Sequence, residues 1–166
     1  MKKSRIILLI SIILVVCLAS FAGCKPKDLK AEEIFALASA TSGLNLDTTI
    51  VVKDGVKEVY TFKDGVSVDN TGLGLDEMSF GGAGNGLPFA ATNLEETTRS
   101  AIDKNTSSAT YNITNPQELL GEAGATNGVV VITYAIKEKA LQSMSITYTA
   151  VRGELSLIVE ITVKTK

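Results

Sequence analysis

No histidine and no tryptophan occur anywhere in the 166 residues, and no cysteine follows Cys24. Without histidine, a serine–histidine–aspartate triad and a histidine-ligated zinc are both excluded. Without a thiol beyond position 24, the body of the chain has neither a cysteine nucleophile nor a disulfide. No serine stands three residues before a lysine, which removes the Ser-x-x-Lys arrangement. Gly65-Val66-Ser67-Val68-Asp69 has Asp69 where a nucleophile elbow needs its second glycine, and it reads as strand. Gly82-Ala83-Gly84 has no glycine three residues further on, and no Gly-Lys-Ser/Thr occurs, so no phosphate or dinucleotide loop is present. The acid pairs Asp76-Glu77 and Glu95-Glu96 could in principle serve glycoside hydrolysis. The second suits the first turn of a helix, where the macrodipole favours acids, and the first suits a solvated loop. The expectation is a protein that is not an enzyme, with no cofactor and no metal site. Basic runs are missing too, which argues against nucleic acid and against strong attraction to anionic lipid headgroups.

What is present begins at the N-terminus. Lys2, Lys3 and Arg5 precede an apolar stretch over 6–19 broken only by Ser11. That stretch is short of the roughly 20 residues a membrane-spanning helix needs. Small residues then lead to one cysteine. This is the pattern of a secretory signal, and Phe21-Ala22-Gly23-Cys24 resembles the lipobox of bacterial lipoproteins. The resemblance implies removal of residues 1–23 and lipidation of Cys24, with a palmitate-type acyl chain, as the new N-terminus. It also implies an exported protein on the outer face of the cell membrane or facing the periplasm. An ordinary signal peptide cut near Ala22 is the other reading. Residues 24–28 then make a short tether, and 29–166 a single domain. Removing residues 1–23 leaves 143, with 13 basic and 18 acidic side chains for a net charge of −5. A domain of that size buries roughly two-thirds of the surface of its unfolded chain, so it needs no metal or disulfide to fold.

Periodicity organises the rest. Ile34, Leu37, Ala38 and Thr41 share a helical face over 28–41, stopped at Gly43. Leu44, Leu46, Thr48, Ile50 and Val52 alternate with more polar neighbours, and Lys53-Asp54-Gly55-Val56 recurs as Lys63-Asp64-Gly65-Val66. Asp-Gly between alternating runs signals type I′ hairpins, giving a three-stranded meander to about Asn70. Residues 71–92 are rich in glycine yet apolar. A second helix is expected from Asn93, with Glu96 as its capping-box partner and Leu94, Thr98, Ala101 and Ile102 on one face. A short strand over 109–113 and a helical turn at Asn115-Pro116 follow. Residues 128–136 are apolar on both faces and should have cover on both sides. Alternation over 143–150 and 155–163 closes the chain with two more strands.

The fold class is therefore α+β: a curved antiparallel sheet, like an incomplete barrel, with two or three short helices on its apolar face. That order of elements after a lipobox resembles the LolA/LppX-like family of extracytoplasmic lipoproteins and carriers. The resemblance implies an incomplete β-barrel closed by helices over an apolar cavity. Two functions follow. One is a membrane-anchored module binding a lipid or other apolar small molecule. The other is a surface interaction lipoprotein whose sheet face is filled by its own side chains. For the first, the ligand or gate residues would be Leu75, Met78, Phe80, Leu87, Phe89, Met144 and Tyr148. The expected partner is the membrane, through Cys24, with no nucleic acid.

Overall fold

The computed structural model describes residues 27–41, 44–76, 79–80 and 87–166. The expected signal segment, Cys24 and Met78 fall outside the described residues. Helix α1 (Ala31–Ser39) begins where the Glu33 carboxylate accepts the Lys30 amide at 3.0 Å, and it buries Ile34, Phe35 and Ala38. Strands β1 (Leu46–Asp54), β2 (Lys57–Lys63) and β3 (Val66–Asp69) form the first meander. Strands β4 (Leu94–Ala101) and β5 (Thr106–Ile113) come next, followed by helix α2 (Pro116–Leu120). Strands β6 (Thr126–Ala135), β7 (Ala140–Arg152) and β8 (Leu155–Thr165) complete the chain. All eight strands form one open antiparallel sheet in the order β3-β2-β1-β8-β7-β6-β5-β4. No helix among the described residues is long and apolar enough to cross a membrane.

The order has a simple logic. β1–β3 run outward from the centre to one edge, β4–β8 run from the other edge back to the centre, and β1 pairs with β8 along the seam. The connection over 70–93 therefore joins opposite edges. At about 4.8 Å per strand it must traverse roughly 34 Å of sheet. Its described apolar residues Leu75, Phe80, Leu87 and Phe89 are buried in the core, which explains why this glycine-rich stretch is also rich in Leu and Phe.

The inward face is built by period-two alternation. Across the middle of the sheet, Ile50, Ile161, Ile146, Val130 and Tyr111 stand side by side on consecutive strands, and all are fully or almost fully buried. Cross-strand pairs of β-branched and aromatic side chains are the unit of sheet stability. The helix α1 packs against β6 and β7, with the Phe35 ring edge-on to Tyr111 at 5.1 Å.

Three expectations are corrected. Residues 94–101 form the edge strand β4, not a helix, and within it only Leu94 is buried. The β-branched pair Thr97-Thr98 and the polar run around it suit an edge, where charge blocks further pairing. Asn93 closes a turn instead of a helix, accepting the Ala90 amide at 2.9 Å and donating to the Pro88 carbonyl at 2.8 Å. β6 is covered on one face only: Val130, Ile132 and Tyr134 are buried, while Val129, Val131 and Thr133 are half-buried. The two Asp-Gly turns also differ. Asp64 and Gly65 both have positive φ, as a type I′ turn demands, whereas the first turn falls at Gly55-Val56 with positive φ at Gly55 alone.

Candidate ligand-binding face

The segment that crosses the sheet is pinned by short polar contacts and buried by apolar ones. At its start the Asp69 carboxylate accepts the Thr71 hydroxyl at 2.6 Å, the Thr71 amide at 2.8 Å and the Leu75 amide at 3.0 Å. These bonds, the Thr71 hydroxyl foremost, hold its acidity below the ordinary carboxylate range. Asp76 and Ser79 then bond reciprocally, the carboxylate taking the Ser79 amide and hydroxyl and the hydroxyl taking the Asp76 amide. At the far end the Phe89 amide donates to the Ser39 hydroxyl of α1 at 3.1 Å.

Between these ends lies a charged clasp. The Arg152 guanidinium stands 5.0 Å over the Phe80 ring, donates to the Ser79 carbonyl and bonds Glu122 at 2.9 Å. Tyr148 donates its hydroxyl to the other Glu122 oxygen at 2.7 Å. Burial pushes the Tyr148 phenol well above its usual pKa, and the bond to Glu122 pushes it further in the same direction. Phe80 also packs against Tyr60, with ring centroids 5.2 Å apart. β7 supplies both Tyr148 and Arg152, four residues apart and so on one face of the strand; Arg152 holds the crossing segment directly, and Glu122 joins the two side chains.

Six of the seven residues expected to meet a ligand are described, and all six belong to one buried cluster. Leu75, Phe80, Leu87 and Phe89 come from the crossing segment, Met144 and Tyr148 from the sheet, and none is more than 8% exposed. Met78 is outside the described residues.

A second polar cluster, which the sequence does not signal, sits where the chain enters the fold. Tyr134 donates to Asp28 at 2.8 Å, and Arg99 donates to the Leu29 carbonyl at 2.6 Å while gripping Glu96 with two nitrogens at 2.9 and 2.5 Å. Glu96 holds the Arg99 guanidinium firmly protonated. Beside this pair the buried Tyr111 hydroxyl has no hydrogen-bond partner among the described residues, and burial pushes its pKa up to about 12.

An open groove of about 620 Å³ lies at the opposite end of the sheet, between the end of β5, α2 and the start of β6. Asn112, Asn115, Gln117 and Asn127 line it with carboxamides, and none of the expected ligand residues reaches it. Its floor needs Gly128, where an added Cβ would stand 3.0 Å from the Ile113 side chain and 3.1 Å from Pro116. Among the described residues no three acidic side chains gather as a metal site. No family model matches the chain, and no curated protein is significantly similar to it.

Proposed function

We propose that this chain is an exported lipoprotein, held at the membrane by lipid on Cys24, whose curved sheet and crossing segment form a non-catalytic binding module for a lipid or other apolar molecule. One observation carries the reading. The described residues of the connection between the two edge strands put Leu75, Phe80, Leu87 and Phe89 into the same buried cluster as the inward face of the sheet and are fixed by a few polar contacts. An apolar ligand would take the place of those side chains against Met144 and Tyr148, the segment lifting as one piece. Pockets for small molecules are mostly apolar, with a few placed polar groups, and the Tyr148–Glu122–Arg152 set would be those groups. The sheet would then act as an incomplete barrel and the segment as its movable wall.

The complete burial of the six residues favours a second reading, a packed surface lipoprotein without a cavity. Mass spectrometry of lipids extracted from the purified protein, with titration by the fluorescent fatty acid cis-parinaric acid, separates the two. Saturable binding of one probe per chain, displaced by the extracted lipid, is expected. No co-purified lipid and no saturable binding would leave the packed reading. The anchor has its own test: incorporation of labelled palmitate should vanish in Cys24→Ala, and the protein should leave the membrane fraction. Two acyl chains anchor stably where a single one binds marginally, each buried CH₂ contributing about 0.8 kcal/mol.

A further inference from the structure

None of the eleven residues lining the groove between β5, α2 and β6 carries a charge, in a chain where one residue in five does. Asn112, Gln117 and Asn127 are exposed, and their carboxamides make no hydrogen bond among the described residues. Only Asn115 is engaged, donating to Glu118 at 2.8 Å. Each unengaged carboxamide offers two donors and an acceptor, while Pro116, Val129 and Ile113 supply apolar lining. The backbone is shaped to hold them. The register of β6 slips between Thr126 and Val129, so that Asn127 and Gly128 stand where β7 has Tyr148 alone. Asn127 has a φ of 53°, a left-handed conformation asparagine tolerates better than most residues. Bulges of this kind re-aim side chains and are frequent next to active sites.

The lining selects its ligand by what it offers. Without lysine or arginine it has nothing to match a phosphate or carboxylate. The charges that adjoin it, Glu95 opposite Asn112 on β4 and Glu118 on α2, are acids. They form no cation site, since no three acidic side chains gather among the described residues. No aromatic ring lines the groove, so a nucleobase finds no stacking surface. β5 and β6 are each paired on both sides, so a peptide finds no open backbone to extend. A hydroxyl donates and accepts at once, as a carboxamide does, so a neutral polyhydroxyl ligand matches the polar lining. Its C–H faces match Pro116 and Val129.

The surface beside the groove continues this chemistry. Asn112 and Val129 are cross-strand partners on the solvent side of the sheet. In the adjacent row Thr98, Thr110, Val131, Ser145, Thr162 and Thr49 stand in register across six strands, five of them hydroxyl-bearing and none charged. At about 4.8 Å per strand the row runs for roughly 24 Å, which suits a chain of sugars better than a single one. We propose that the carboxamide groove and this row form a second binding site, for a neutral carbohydrate chain. The site is separate from the buried apolar cluster and depends neither on that reading nor on the anchor at Cys24.

The test follows the side-chain amide signals of Asn112, Gln117 and Asn127 by nitrogen-15 NMR, on the full chain in a phosphocholine detergent that carries no sugar. The probes are cellotetraose, maltotetraose and the tetramer of N-acetylglucosamine at millimolar concentration, with tetra-alanine blocked at both ends as the comparison. At least one tetrasaccharide should move the three signals saturably, with an affinity that high salt leaves unchanged because no ion pair is screened. Asn112→Ala, Gln117→Ala and Asn127→Gly should each weaken that binding by about 2–10-fold, as the loss of one neutral hydrogen bond implies. All three positions are exposed, and glycine keeps the left-handed backbone at 127, so the unfolding midpoint should hold. Signals that no tetrasaccharide moves, or that the blocked peptide moves in place of the sugars, overturn the proposal. So does an affinity that falls steeply with salt, or one that all three substitutions leave intact.

Discussion

Three buried tyrosines show how one residue type takes different roles from its surroundings. Tyr148 and Tyr134 each donate to a carboxylate, while Tyr111 is fully buried beside Glu96 and Arg99, with no hydrogen bond to its hydroxyl among the described residues. An unmet buried hydroxyl costs about 1–3 kcal/mol, and a hydrogen bond to a charged group contributes about 1.5–3 kcal/mol. Tyr111→Phe should therefore leave stability unchanged or raise it, whereas Tyr148→Phe should lower it by about 1–3 kcal/mol; urea unfolding of the two variants checks the opposite signs. The same residues set the alkaline limit. A phenol whose pKa is higher in the folded protein, like Tyr111 at about 12, stabilises below the unfolded value and loses that contribution as pH rises through the folded one. Carboxylates act at the other limit. Asp69 bonded by Thr71, Asp103 by the Asn105 amide, Glu33 by Lys139 and Glu138 by Asn105 are all held below their usual range. Their contribution is present above about pH 4 and is lost as pH falls through the folded values. With no histidine to titrate in between, the unfolding midpoint should be flat from about pH 5.5 to 9 and fall on both sides. A step between pH 6 and 7 would contradict this.

Among the elements, the crossing segment should open separately from the sheet beneath it. Arg152→Ala removes the contacts to the Ser79 carbonyl, Phe80 and Glu122 at once. Amide exchange over 71–80 should quicken while the inner strands β7 and β8 stay protected, as expected of a locally opening unit. Uniform acceleration would mean that the segment belongs to the same cooperative unit as the sheet. The strands that alternate most regularly, β1, β7 and β8, were the most legible in the sequence, because a half-buried strand writes its two faces into every second residue. The strand β4 was not, since at an edge nearly all its side chains are polar and Asn93 with Glu96 imitates a helix start. The six ligand candidates were legible as apolar residues, but side chains lining a pocket and side chains filling a core have the same composition. The carboxamide groove spans only residues 112–129, but its four carboxamides meet only once β5, α2 and β6 pack together, so no periodic pattern reveals it.

For the molecule as a whole, no cysteine follows Cys24 and no three acidic side chains gather as a metal site among the described residues, so stability should not respond to chelator or reductant. Ile146→Ala and Val159→Ala each empty a fully buried position between inner strands. Each should cost about 2–5 kcal/mol in chemical unfolding; losses below about 0.5 kcal/mol at both sites would put the core on the wrong face. The central seam has a further consequence in time. Lys53 of β1 bonds Glu160 of β8 at 2.8 Å across 107 positions of chain. At roughly 5–20 residues per second of synthesis, β1 waits about 5–20 s for its partner. Throughout that wait the first meander presents its central side as an unpaired edge, the kind of surface on which strands of separate molecules join. Contacts this remote also make for slow folding. A nascent chain of this protein is thus vulnerable in the middle of its future sheet, and the seam closes only when nearly the whole sequence has emerged.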